Sequence, residues 1–165
     1  MMAVRCNPTP RVAQAALDDI TEVQEMFDKV LVAVDGSQYS DAALTAAEGF
    51  AAKTGSTVEV VHVHEHDFIP SKAGMSPDLE PMDEAKAVID RAVERLKGHG
   101  VSVTGRLLQA RTRDVPKAII EAAEESGADL IIVGRRGLSS LTGMLVGSVS
   151  NKLIHVAKVP IMVAH

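Results

Sequence analysis

The sequence predicts an α/β fold: an open, doubly wound, five-stranded parallel sheet with helices on both faces. Three observations carry this. From Phe27 onward, short β-branched apolar runs alternate with segments of helical periodicity, the pattern of βα units around a parallel sheet. Two of those runs, "KVLVAV" (29–34) and "DLIIVG" (129–134), are apolar almost throughout, as strands buried on both faces must be. After the second comes "VGRRGLSSLTGMLVGSVS", Val133 to Ser150, with four glycines, two adjacent arginines and five hydroxyl residues. Glycine is costly to order, so this much bare backbone beside a buried strand asks for a reason.

Each element follows from local chemistry. The first strand, 29–34, runs into "DGS" and then into an alanine-rich helix over 40–55, with Asp41 near its start and Gly55 as its stop. "TVEVVHVH" (57–64) is the second strand. A long loop rich in Pro, Ser and Gly covers 65–82. In "DEAKAVIDRAVERLKGHG" (83–100), Ala85, Val88, Ile89, Ala92, Val93 and Leu96 recur at spacings of three and four, which makes an amphipathic helix ended by Gly98 and Gly100. "VSVTGRLLQ" (101–109) is a strand less apolar than the others, and so nearer a sheet edge. The helix over 114–127 has Asp114 as its expected N-cap and Pro116 in its first turn. After the strand 129–134, the helix 148–157 and the strand 159–165 complete the order. Pro160 cannot donate a ladder bond, which points to an edge.

Residues 1–26 differ from the rest. "NPTPRV" reads as extended, and Ala16, Ile20 and Val23 share one face of a short helix. We expect 1–26 to be an extension dispensable for the core at 27–165, with Met26 as an alternative initiator.

Composition excludes several function classes. The chain has 165 residues, 46% hydrophobic and 24% charged, which suits one domain with a sizeable core. Aromatic residues are 2% and Trp is absent, which leaves no platforms for stacking single-stranded bases. The net charge of −5, with no long basic run, argues against phosphate-driven nucleic-acid binding. Cys6 is the sole cysteine, so neither a disulfide framework nor a zinc knuckle is expected. No apolar run approaches the ~20 residues that span a bilayer, and the N-terminal apolar stretch is broken by Gln14 and closed by Asp18 and Asp19. The expectation is a cytoplasmic protein.

In an open doubly wound sheet, ligands bind beyond the carboxyl ends of the strands where the strand order reverses. The strands flanking that crevice should be the most buried, here 29–34 and 129–134. The first ends in Asp35-Gly36-Ser37 and the second in the glycine segment. Its spacing is G-x2-G-x9-G-S, from Gly134, Gly137, Gly147 and Ser148. This is neither a P-loop nor a dinucleotide fingerprint, yet it suits a phosphate chain. Gly134 and Gly137 let the backbone come close, Gly147 opens a helix carrying Ser148, Val149 and Ser150, and helix N-termini attract anions. Arg135 or Arg136 supplies a cation.

"VLVAVDGS", "VVHV", "GADLIIVGRRG", the G-x2-G-x9-G-S segment and the closing "VPIMVAH" occur in this order over residues 27–165. Together they resemble the universal stress protein family. That resemblance implies the strand order 3-2-1-4-5 of the adenine nucleotide alpha hydrolase-like folds, and a homodimer with its last strands (159–164) side by side. It also implies ATP binding. By position, Asp35 resembles the family's first-strand aspartate near ribose and adenine, and Val63 the second-strand residue whose backbone meets the adenine. Gly134, Arg136 and Gly137 match the first half of the phosphate loop, and Gly147, Ser148, Val149 and Ser150 the second. Mg²⁺ would arrive with the phosphates and meet Asp35 through water. The chain departs from the family at "ARTRDVPK", where a Gly-x-Pro-like turn is common.

Plainer readings stand beside these. Asp-Gly-Ser is turn chemistry, in which an aspartate satisfies its own backbone. His62, His64 and His66 alternate in "HVHEHD", but the strand should end near His64, and a metal site is the weaker reading. Arg111 and Arg113 read as solvated surface. A pyrophosphatase-type relative would carry Ser-Gly-Gly-x-Asp-Ser after the first strand, whereas this chain has "DGSQYS". No residue stands out as a base for water, although phosphoryl transfer needs a positioned nucleophile. The first reading is therefore an ATP-holding dimeric regulator without strong catalysis. A slow ATPase acting as a timed switch is the second, and a nucleotide-free dimeric interaction module the third.

Overall fold

A computed structural model of the chain describes residues 27–66, 81–137 and 147–165. The expected extension at 1–26 and most of the long loop lie outside the described residues. Five parallel strands form one sheet: β1 (Lys29–Ala33), β2 (Thr57–Glu65), β3 (Val103–Ala110), β4 (Leu130–Gly134) and β5 (Ile161–Ala164). Their order is β3-β2-β1-β4-β5, as the resemblance implied. Four helices connect them: α1 (Gln38–Thr54), α2 (Met82–Gly98), α3 (Val115–Ser126) and α4 (Ser148–Val156). Helices α1 and α2 cover one face and α3 and α4 the other.

Side-chain alternation along the strands builds two cores. Val30 and Val32 of β1 pack with Ala43, Ala47, Val88 and Leu96 under α1 and α2. Leu31 of the same strand points the other way, to Ile119, Ala122 and Leu153 under α3 and α4. Because both faces are covered, β1 beyond Lys29 and all of β4 are apolar. The outer strand β3 is half-buried and more polar, as its composition predicted. One buried charge is paired: Glu59 on β2 takes Arg106 Nε of β3 at 3.1 Å, and Arg106 also reaches Glu125 and the Ala122 carbonyl on α3. Phe27 meets Phe50 edge to face at 5.5 Å, seating the start of the domain on α1.

Helix starts show what local signals leave open. The cap of α1 is Ser37, whose hydroxyl accepts from the Ser40 N–H at 3.3 Å, so the helix begins at Gln38, two residues before the expected start, with Asp41 in its first turn. Asp114 occupies the N-cap position of α3, yet its side chain makes no capping bond. It ends a 3₁₀ turn over Thr112–Asp114, which replaces the extended backbone an N-cap residue usually adopts. Among the described residues, no helix is long and apolar enough to cross a membrane.

Candidate functional site

Strands β1 and β4 are adjacent, in register from Val30↔Leu130 to Ala33↔Val133, so their carboxyl ends finish level. The chain leaves β1 toward β2 and β3 on one side and returns through β4 to β5 on the other, which makes this junction the switch point. At the opposite end Asp129 Oδ2 accepts the backbone N–H groups of Asp28 and Lys29, each at 3.0 Å. The two strands are thus tied at their amino ends, and the chain diverges from them at their carboxyl ends.

On the β1 side, Asp35 is held from several directions. Its Oδ1 accepts the Ser37 N–H at 3.1 Å, closing an Asx-type turn around Gly36 at φ +76°. The same oxygen accepts the Ser40 hydroxyl at 2.5 Å, while the Asp35 N–H donates to Ser40 Oγ at 2.8 Å. The turn bonds of Asp35 fall on Oδ1, and Oδ2 lies on the Gly137 side. A β-carbon built at Gly137 would lie 2.5 Å from Asp35 Oδ2.

On the β4 side, Gly134 packs against the first turn of α1, where a β-carbon would fall 2.5 Å from the Tyr39 carbonyl oxygen. The Arg135 N–H donates to Ala164 O at 2.8 Å, extending the pairing with β5. The chain departs at Gly137 and returns at Gly147, whose N–H donates to Arg135 O at 2.7 Å. A β-carbon at Gly147 would stand 3.2 Å from Arg136 Cα and 3.6 Å from the Gly137 nitrogen. Both ends of the glycine segment therefore close on one point, while 138–146 lie outside the described residues. Gly147 is the N-cap of α4 and has no side chain to cap with, so among the described residues no side chain caps the first-turn N–H groups at Ser148 and Val149, the kind of donors that attract an anion. The Ser150 hydroxyl is buried and donates to Gly134 O at 2.7 Å.

Val63 sits at the third side. Odd residues of β2 bond toward β1, as Thr57 N–H to Asp28 O and Val34 N–H to Val61 O show; even residues bond toward β3, as Val58 and His66 do. That phase turns the Val63 N–H and carbonyl to the β1 side, past the end of β1. His62 and His64 are buried, and His62 Nδ1 lies 2.8 Å from Val34 O. His66 is exposed beyond the strand end. Asp35, Gly134, Arg136, Gly137, Gly147, Ser148, Val149 and Ser150 are thus gathered around one crevice, with Val63 facing it from β2. The sequence marks Ser37 only as part of the Asp-Gly-Ser turn, and it points to no role at this site for Tyr39 or Ser40. The signal for Ser40 was its place five residues after Asp35, one helical turn past the cap.

These features define an α/β domain of the doubly wound class with its candidate site at the switch point. A family model described as "Universal stress protein family" matches residues 26–165. The chain belongs to the universal stress protein family. A universal stress protein of Thermus aquaticus is 33% identical over 143 residues, 83% of this chain and 98% of the relative. A universal stress protein solved in complex with cAMP is 26% identical with a TM-score of 0.63, covering 84% of this chain and 97% of its own. One from Archaeoglobus fulgidus in complex with dAMP is 25% identical with a TM-score of 0.63, covering 85% and 99%.

Proposed function

We propose that this chain binds an adenine nucleotide, ATP accompanied by Mg²⁺, in the crevice between β1 and β4, and works as a cytoplasmic homodimeric stress-response regulator rather than a strong catalyst. The observation that carries this reading is the convergence of Asp35, Gly137 and Gly147. A carboxylate and two bare backbone segments meet beside an uncapped helix start. The structural relatives solved with cAMP and dAMP support an adenine nucleotide as the ligand class.

Roles follow from position. The Val63 backbone reads the adenine edge, and Asp35 lies toward the ribose and adenine. Gly134, Arg136 and Gly137 take one side of the phosphates, and Gly147, Ser148 and Val149 the other. Ser150 contributes by holding the Gly134 carbonyl. Among the described residues no three ligating side chains gather to hold a metal, so Mg²⁺ would take most of its ligands from phosphate oxygens and water, with Asp35 the nearest carboxylate.

The dimer reading rests on the outer edge of the sheet. Ile161, Met162 and Val163 of β5 are half-buried at an edge with no further strand among the described residues. On neighbouring α4, Ile154 is 48% and Val156 59% exposed. Such an apolar edge needs a cover.

The test is to denature the purified protein, remove the precipitate and separate the released nucleotides by chromatography. Near-stoichiometric ATP supports a nucleotide-holding regulator. ADP or AMP instead would point to turnover. No released nucleotide, with no binding of added ATP, would refute the site.

A further inference from the structure

Two buried serines occupy equivalent places on the two sides of the crevice. Ser40 is the third residue of α1 and Ser150 the third residue of α4, and each is 5% exposed. Each hydroxyl reaches back to the end of the preceding strand, Ser40 to Asp35 and Ser150 to Gly134. A buried hydroxyl needs a partner, but Ser40 does more than satisfy itself. It accepts the Asp35 N–H and donates to Asp35 Oδ1, so backbone and carboxylate of one residue are gripped by a single oxygen. With the Ser37 N–H on the same Oδ1, the carboxylate plane is fixed and Oδ2 is directed at Gly137.

We infer that Ser40 is a positioning residue for the nucleotide site: its hydroxyl sets the rotamer of Asp35 and thereby the tightness with which the crevice holds its ligand. This rests on the nucleotide reading above. The physical reason is preorganisation. A carboxylate already held in its binding rotamer loses little freedom when the ligand arrives, whereas a free one must be ordered at that moment. Hydrogen bonds to a charged group are also the stronger kind. Ser40 acts through Asp35: its one hydroxyl proton goes to Oδ1 while its oxygen accepts the Asp35 N–H.

The experiment is a double-mutant cycle on the full chain. ATP affinity is measured by calorimetry for the unaltered protein, Ser40→Ala, Asp35→Ala and the double variant, with three-bond NMR couplings reporting the Asp35 side-chain rotamer in the nucleotide-free state. The expected result is about tenfold weaker ATP binding for Ser40→Ala, from loss of one charge-assisted bond. A clearly smaller further loss is expected when Asp35 is already alanine, because only the bond from the residue-35 N–H remains to be lost; the Asp35 couplings should average over rotamers, and Ser40→Thr should recover affinity. Should Ser40→Ala fail to fold, Ser40→Cys keeps the volume with a weaker donor and carries the same comparison. Equal losses in both backgrounds, or an Asp35 rotamer unmoved by the substitution, would overturn the role of Ser40 while leaving the site intact. No ATP binding by the unaltered protein would instead overturn the nucleotide reading, and the role of Ser40 with it.

Discussion

Asp35 and Gly137, 102 positions apart in the chain, meet across the crevice so closely that a β-carbon on the glycine would stand 2.5 Å from Asp35 Oδ2. Real β-carbons do not approach an oxygen that nearly, so one of the two must yield. The carboxylate is the end of a side chain, but Ser37 and Ser40 hold it in place. Gly137→Ala is therefore expected to push Asp35 from its seat with little harm to the core. Calorimetry should find ATP binding at least about tenfold weaker, roughly 1.4 kcal/mol. Urea unfolding should change by less than about 1 kcal/mol. Undiminished affinity would show that the approach is incidental to binding.

Gly134 poses the opposite case. Its would-be β-carbon falls 2.5 Å from the Tyr39 oxygen and 2.7 Å from the Tyr39 carbonyl carbon. These are backbone atoms of α1, which cannot swing aside as a side chain can. Gly134→Ala should cost stability directly, about 1–3 kcal/mol as an overpacked core does, read from the urea midpoint at unchanged slope. A variant as stable as the parent would mean that α1 can shift on the sheet.

Ser150→Ala leaves the Gly134 carbonyl without its buried donor. An unsatisfied buried acceptor costs about 1–3 kcal/mol, which chemical denaturation would detect. Nucleotide affinity should fall as well, since the start of α4 would no longer be drawn against β4. Full stability and full affinity together would sink the bracing role.

At the β5 edge, Ile154→Glu combined with Val156→Lys places charges on side chains that are 48% and 59% exposed. Folding stability should stay within about 0.5 kcal/mol per site. Sedimentation velocity should show monomer at concentrations where the parent is dimeric. A parent that sediments as a monomer throughout would refute the dimer.

Much of the site was legible because its parts carry local marks. Asp-Gly-Ser announces a turn, and the Gly134, Gly137 and Gly147 spacing announces close backbone approach. Asp114 looked like a helix cap for equally local reasons, yet it ends a 3₁₀ turn without capping. Capping depends on the backbone angles of one residue, and a residue type only biases those. Ser40 escaped notice because a serine in the first turn of a helix has many ordinary uses, and only its distance to Asp35 selects one.

By itself the sequence determined the order of strands and helices, the two strands buried on both faces and the two segments that flank the crevice. Hydrophobic period and turn chemistry are properties of neighbouring residues, so they can be read along the chain. Tertiary structure alone decided that Oδ2 of Asp35 faces Gly137, that Gly147 closes on Arg135, that Ser40 grips Asp35 and that Asp129 ties residues 28 and 29. Apart from the Ser40 grip, these contacts join residues about ten to a hundred positions apart, and all depend on strand register and helix placement to fractions of an ångström. That precision comes from the packing of the whole core, which no local pattern encodes.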